Sequence, residues 1–181
     1  MLARITRFRP RGAKVRLISA LPGNDRLGSM ADVVDQATRS RMMSGIRGKN
    51  TRPEMALRKA LHRSGLRYRL HGALLPGRPD IILSSRRALI FVHGCFWHRH
   101  TGCHWCSTPA SRSEFWTAKF DRNVTRDREV VDALHAEGWR VAIVWECGLR
   151  AAYLDETVVR VLAWVWAESG DFESDLVRPR R

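Results

Sequence analysis

The segment Phe91–Cys106 carries four histidines (His93, His98, His100, His104) and three cysteines (Cys95, Cys103, Cys106) within 16 residues. The remaining cysteine, Cys147, lies far along the chain, just after the apolar run Arg140–Trp145. Zinc takes four soft or borderline ligands in a tetrahedron, and a local group of ligands completed from a distance is normal. A structural zinc site is therefore expected. It would tie the end of the Arg140–Trp145 run to the loop after Cys95, which narrows the possible topologies. Two ligand sets fit the spacing. Cys95, Cys103, Cys106 and Cys147 make an all-thiolate set with a Cys-x-x-Cys knuckle, and the other set replaces Cys106 by His100. Free buried thiols, with the histidines on a solvated loop, are the plainer alternative. Four cysteines in 181 residues are too few for a disulfide scaffold, so a reducing interior is expected.

Around this segment the hydrophobic pattern predicts alternating strands and helices. Thr51-Arg52-Pro53-Glu54 reads as a capping box with proline in the first turn, opening a helix to about Ser64 that Gly65 ends. Leu57 and Leu61 lie i, i+4 on its inner face. Leu66–His71 reads as a short strand, and Leu75–Pro79 as a turn-rich connection. Asp80–Ser84 and Ala88–His93, joined by Ser85-Arg86-Arg87, read as a hairpin whose paired positions sum to about 171 or 172, so Asp80 lies beside Phe91 or Val92. Ser113–Glu137 reads as a long helix, Arg140–Trp145 as a strong strand and Leu149–Ala167 as a final helix. Together they predict an α/β fold, a mixed sheet flanked by helices. A weaker helical pattern, Met42, Met43 and Ile46, spans Thr38–Arg47.

Lysine and arginine outnumber acids 32 to 18, for a net charge of +14. Such an excess points to a polyanion, because each cation that meets a phosphate releases a condensed counterion. Nucleic acid fits better than a membrane surface: no basic amphipathic helix stands out, and no apolar run approaches the roughly 18 residues of a span. Residues 1–29 hold seven cations against Asp25 alone. They resemble a transit peptide in composition, and equally a basic arm for DNA or an extension ahead of a start at Met30. Little order is expected there. The domain is expected over residues 30–167, with a tail over 168–181.

A second constellation is Asp80 with His93 and His98. A carboxylate at a strand start, beside a histidine ending the neighbouring strand, suits a metal and general-base site. Pro79-Asp80 is the first half of a P-D…(D/E)-x-K nuclease signature, but Phe91-Val92-His93 stands where the second half would be. Glu54 is explained by the capping box without catalysis. Phe96, Trp97, Trp105 and Trp116 sit among polar residues. Exposed aromatics in a basic protein can stack on bases or wedge between base steps, or they can simply cover the zinc loop.

From Met30 to about Arg150 the chain closely resembles one family, the very short patch repair (Vsr) endonucleases, which nick DNA beside T:G mismatches. The residues that carry the likeness are Met30-Ala31-Asp32-Val33, Ala37-Thr38-Arg39-Ser40, Pro76-Gly77-Arg78-Pro79-Asp80, His93-Gly94-Cys95-Phe96-Trp97-His98, Glu114-Phe115-Trp116, Asn123-Val124, Arg126-Asp127, Gly138-Trp139-Arg140-Val141 and Val144-Trp145-Glu146-Cys147. The resemblance implies a restriction-endonuclease-like fold with a structural Zn²⁺ and a Mg²⁺-dependent centre. It assigns Mg²⁺ to Asp80 and the backbone carbonyl of Val92, where some members have threonine. It makes His93 and His98 catalytic and puts Glu54 near the metal. Zinc falls to Cys95, His100, Cys103 and Cys147, which favours His100 over Cys106, although a slightly longer loop lets Cys103 and Cys106 trade roles. Phe96, Trp97 and Trp116 become a mismatch wedge, with Met43 reaching it from the amino-terminal helix.

The implied mechanism uses His98 as general base, since imidazole titrates near neutrality, with Asp127 orienting it. The implied substrate is double-stranded DNA with a T:G mismatch from deamination of 5-methylcytosine. That implies a functional link to a cytosine-5 methyltransferase, with mismatch-repair proteins as further candidate partners. A monomer acting on DNA in the bacterial cytoplasm, without a membrane partner, is the expected form. The rival readings are a non-catalytic zinc DNA-binding module and a restriction-type nuclease that cuts without a mismatch.

Overall fold

The structure is a computed structural model that describes Thr38, residues 48–167 and residues 169–174. The basic extension 1–29, the helical pattern expected over 39–47 with Met43, and residues 175–181 lie outside the described residues. The first described helix, α1 (Arg52–Arg63), begins with the expected capping box. The Thr51 hydroxyl accepts from Glu54 N at 3.4 Å, and the Glu54 carboxylate accepts from Thr51 N at 3.1 Å. At its end Leu66 N reaches Leu61 O and Gly65 N reaches His62 O, with Gly65 at φ +87°. This pattern needs a residue without a Cβ penalty at that point.

Five strands form one sheet in the order β1 (Arg69–Leu70), β2 (Ile81–Leu83), β3 (Ala88–His93), β4 (Arg140–Trp145), β5 (Phe172–Glu173). The β2–β3 hairpin pairs Ile81 with Ile90 and Leu83 with Ala88, the register that sums to 171. Its turn closes through a short 3₁₀ segment, Ser84–Arg86, and Arg87 at φ +48°. The β1–β2 pair is antiparallel, whereas β3–β4 and β4–β5 are parallel. A parallel pair needs a crossover, and α2 (Ser113–Ala136) lies between β3 and β4 in the chain. The last helix, α3, runs Leu154–Ala167, starting later than the sequence pattern suggests because a second 3₁₀ turn, Glu146–Leu149, follows β4. The segment read as a tail contributes β5, and Asp171 accepts from Val141 N at 2.9 Å.

The two sheet faces follow the period of two. Ile81, Leu83, Ala88, Ile90, Ala142 and Val144 pack with Leu57 and Leu61 of α1 and Val161 and Val165 of α3. Ile82, Leu89, Phe91 and Val141 pack with Leu134 of α2 on the other face. The sheet is thus covered on both sides, which explains why β2 and β3 read as near-continuous apolar runs.

Candidate active site and metal centre

Strands β3 and β4 end side by side, with His93 paired to Trp145. Because β2 runs the opposite way, its start lies at the same end of the sheet, and Asp80 precedes it there. Asp80 N donates to Ile90 O at 3.1 Å, and Asp80 Oδ2 accepts from Val92 N at 2.8 Å. The hairpin register sets Asp80 opposite Phe91, and the Asp80 side chain reaches across to the Val92 backbone. Burial pushes the Asp80 carboxyl up to about 6; the Glu54 charge adds to this, and the Val92 N–H, Arg58 and His98 oppose it.

His93 is buried, and burial together with His98 pushes it down to about 3. It is therefore neutral. Its ring stacks on His98 at 3.8 Å with an interplanar angle of 11°. His98 sits on a tight turn, its N–H donating to Gly94 O at 3.1 Å, and its Nδ1 lies 2.5 Å from Asp127 Oδ2 of α2. Burial alone would raise the Asp127 carboxyl, but the hydrogen bond and charge of His98 outweigh it and hold it below the ordinary carboxylate range. An ionised carboxylate only accepts, so Nδ1 carries a proton and Nε2 points away from the carboxylate. His93, His98 and Asp127 line one cleft of about 660 Å³ together with Asp80 and His71.

Glu54 is 2% exposed. Beyond its capping bond it forms an ion pair with the buried Arg58, one turn on. Arg58 Nη1 donates to Asn50 Oδ1 at 2.7 Å, and its Nη2 lies 3.2 Å from His71 Nε2. A guanidinium only donates, so His71 Nε2 accepts. Glu54, His71 and Asp80 each present a ligand atom, all within 4.8 Å of one another. Arg58 and His71 were not singled out from the sequence. Arg58 had a signal, the i, i+4 spacing from Glu54. His71 had none, because it is a single histidine on a loop, at φ +52°.

Behind this cleft, Cys95, His100, Cys103 and Cys147 are all buried, with ligand atoms within 4.8 Å of one another. His100 Nδ1 is 3.6 Å from Cys95 Sγ and 3.4 Å from Cys147 Sγ. Three thiols and an imidazole nitrogen converging in a buried pocket suit zinc, and this cluster could hold the ion. The hydrogen bond from the Cys95 thiol and the charge of His100 pull Cys147 down to about 6 against its burial, so one thiol is ready to ionise. His100 stacks flat on Trp145 at 4.3 Å. Cys106 packs against the cluster from a partly exposed position and is not among the four converging groups.

An aromatic group is built from the turn Gly94–His98 and the first turns of α2. Phe96 makes edge contacts with Trp97 (5.0 Å), Trp116 (5.6 Å) and Phe120 (5.1 Å). Trp116 is 8% exposed, Phe96 and Trp97 are half-buried, and Phe115 is exposed. Asn123 donates to Trp97 O at 3.1 Å, fixing the turn against α2.

Its similarity to known proteins makes the chain a nuclease, a DNA-cleaving hydrolase on a mixed α/β sheet. Residues 31–105 match the family described as DNA mismatch endonuclease Vsr. The DNA mismatch endonuclease Vsr of Escherichia coli is 44% identical over 149 residues, covering 81% of this chain and 95% of that protein. The type II nicking enzyme V.XorIIP of Xanthomonas oryzae is 51% identical over 120 residues, 66% of this chain and 88% of that protein. This chain belongs to the Vsr family and is a DNA-nicking endonuclease. Among solved structures, the catalytic domain of the homing endonuclease I-Bth0305I matches with a TM-score of 0.46 and 18% identity, over 66% of this chain and 98% of that one. No helix among the described residues is long and apolar enough to cross a membrane.

Proposed function

We propose that the protein nicks one strand of duplex DNA beside T:G mismatches left by deamination of 5-methylcytosine, in a Mg²⁺-dependent hydrolysis. The observation that carries this reading is the His98 turn. It places Trp97, a half-buried aromatic, next in the chain to an imidazole clamped between Asp127 and His93. Unstacking a base step costs a few kcal/mol and least at a mismatch, so an aromatic that must enter the stack favours mismatched DNA. Coupling that entry to the base beside it would let recognition position the scissile phosphate.

Asp80, with the Val92 carbonyl, would hold Mg²⁺: its carboxylate faces the cleft beside the Val92 backbone. When bound, the ion would neutralise phosphate charge and help orient water. His98 Nε2 takes a proton from the attacking water as its oxygen bonds to phosphorus and the bond to the leaving deoxyribose oxygen breaks. Asp127 stabilises the resulting imidazolium. His93, neutral and stacked, fixes the ring plane, and Glu54, held by Arg58 and Thr51, acts at one remove from the phosphate. Phe96, Trp97 and Trp116 form the wedge; Met43, expected from the resemblance to reach it, lies outside the described residues. Zn²⁺ would be held by Cys95, His100, Cys103 and Cys147. A cytosine-5 methyltransferase would generate the lesion, and repair proteins would take over the nick.

Nicking of end-labelled T:G and T:A duplexes, with Mg²⁺ and with chelator, tests the reading. Nicking confined to T:G with Mg²⁺ is expected. Equal cutting of both duplexes would make the protein a restriction-type nuclease instead, and cutting unaffected by chelator would remove the Mg²⁺ role.

A further inference from the structure

We propose that the cleft between α1 and β1 is a second DNA-binding site, which takes the sugar–phosphate backbone of the duplex flanking the nick. The proposal rests on the reading above only through its substrate. The cleft holds about 840 Å³, more than the catalytic one. One wall is the face of α1 that carries Arg58, Lys59, His62 and Arg63; the other is Tyr68 and, on the edge strand, Leu70. Among the described residues lining it none is acidic.

Charge segregation along the chain supports the assignment independently. Between Glu54 and Asp80 there is no aspartate or glutamate, while Arg58, Lys59, Arg63, Arg67, Arg69 and Arg78 fall in that stretch. A merely solvated helix face gains from mixing signs at i, i+4, and like charges there are destabilising. Here Lys59 and Arg63 are such a like pair, both exposed. A surface that keeps this repulsion with no acidic residue among its described lining fits a ligand that brings the counter-charge.

The position is also right for a continuous strand. Arg58 lines this cleft and His71 lines the catalytic one, and their side chains meet at 3.2 Å. Asn50 borders the first, and Gly48 and Lys49 border the second. One partition thus separates the two clefts. From Arg58 to Arg63 the helix advances about 7.5 Å at roughly 1.5 Å per residue, which matches the rise of about two nucleotides at roughly 3.4 Å each.

The test is the double variant Lys59→Ala, Arg63→Ala. Both side chains are exposed, so no packing is lost. Each phosphate contact adds about 0.9 to the slope of log affinity against log salt. The slope on a T:G duplex should therefore fall by about 2. Between about 50 and 200 mM salt the wild type should lose about tenfold more affinity than the variant. Single-turnover nicking at saturating protein should stay within about twofold of wild type. The binding defect should vanish when the duplex is trimmed on one side of the mismatch and persist when it is trimmed on the other. An unchanged slope overturns the proposal, as does a defect indifferent to both trims, which would mark a general field and no docked strand. Salt slopes measured on fully paired duplex keep this test separate: if wild type shows no preference for T:G, the mismatch reading fails while the slope comparison still decides the cleft.

Discussion

Replacing Asp127 by asparagine removes the charge opposite His98 and changes almost nothing in volume. In the wild type the carboxylate makes Nδ1 a protonated nitrogen at 2.5 Å, and in the proposed mechanism this leaves Nε2 as the base. An amide can present its NH₂ instead, which selects the opposite tautomer and blocks Nε2. General-base catalysis contributes about 10²–10⁴-fold, and loss of the orienting carboxylate in the Ser-His-Asp template costs about 10⁴. His98 keeps a second restraint here, its stacking on His93 at 3.8 Å. The expected loss is therefore about 10²–10³ in single-turnover nicking, or about 3–4 kcal/mol in barrier. Affinity for the T:G duplex should change little, because Asp127 adds no cation. The Asp127 carboxyl titrates below its unfolded value. Its stabilisation of the pair is thus present above about pH 4 and lost as pH falls through the lower folded value. Across neutral pH the carboxylate stays ionised, so its own titration adds no pH dependence to the wild-type rate between pH 6 and 8. Quench-flow or gel-based single-turnover rates between pH 6 and 8 read this directly. An Asp127→Asn protein that nicks within about threefold of wild type would refute the tautomer argument.

Asp80→Ala should abolish nicking while the protein folds and binds DNA, since it removes a half-buried carboxylate and no core volume; normal nicking by the folded variant would remove Asp80 from the site. Cys147→Ser and His100→Ala should each lose bound zinc on elemental analysis and lower the melting temperature. Cys106→Ser should keep both, and zinc loss there with retention in His100→Ala would reverse the ligand set. Trp97→Ala should weaken T:G binding by about 5- to 150-fold, the value of roughly 1–3 kcal/mol for one stacked base, with a smaller effect on T:A. Trp116 is nearly buried, so Trp116→Ala should also destabilise the fold, by about 3–5 kcal/mol; equal losses on both duplexes in a stable Trp97→Ala protein would sink the wedge.

Much of this molecule is written in short-range patterns. The capping box at Thr51 and Glu54, the hairpin register that sets Asp80 beside Val92, and the exact span of β3 all follow from spacing within a few residues. Such features depend on hydrogen bonds and side-chain periodicities that a single element satisfies alone. That Asp80, His93 and His98 come together was also legible, because they lie just before one strand, at the end of its neighbour and on the turn that follows. Choosing His100 over Cys106 was different. Both lie on one irregular loop whose spacing leaves them open; the family resemblance favours His100, and in the folded loop His100 lies beside Cys147. The Asp127–His98 contact depends on how α2 is rotated over the sheet, and the packing of Leu134 against the β3 face sets that rotation. Arg58 and His71 meet only because α1 and the loop before β2 cross at the sheet edge. A contact between elements is decided by how their apolar faces pack, and no spacing along the chain encodes that angle.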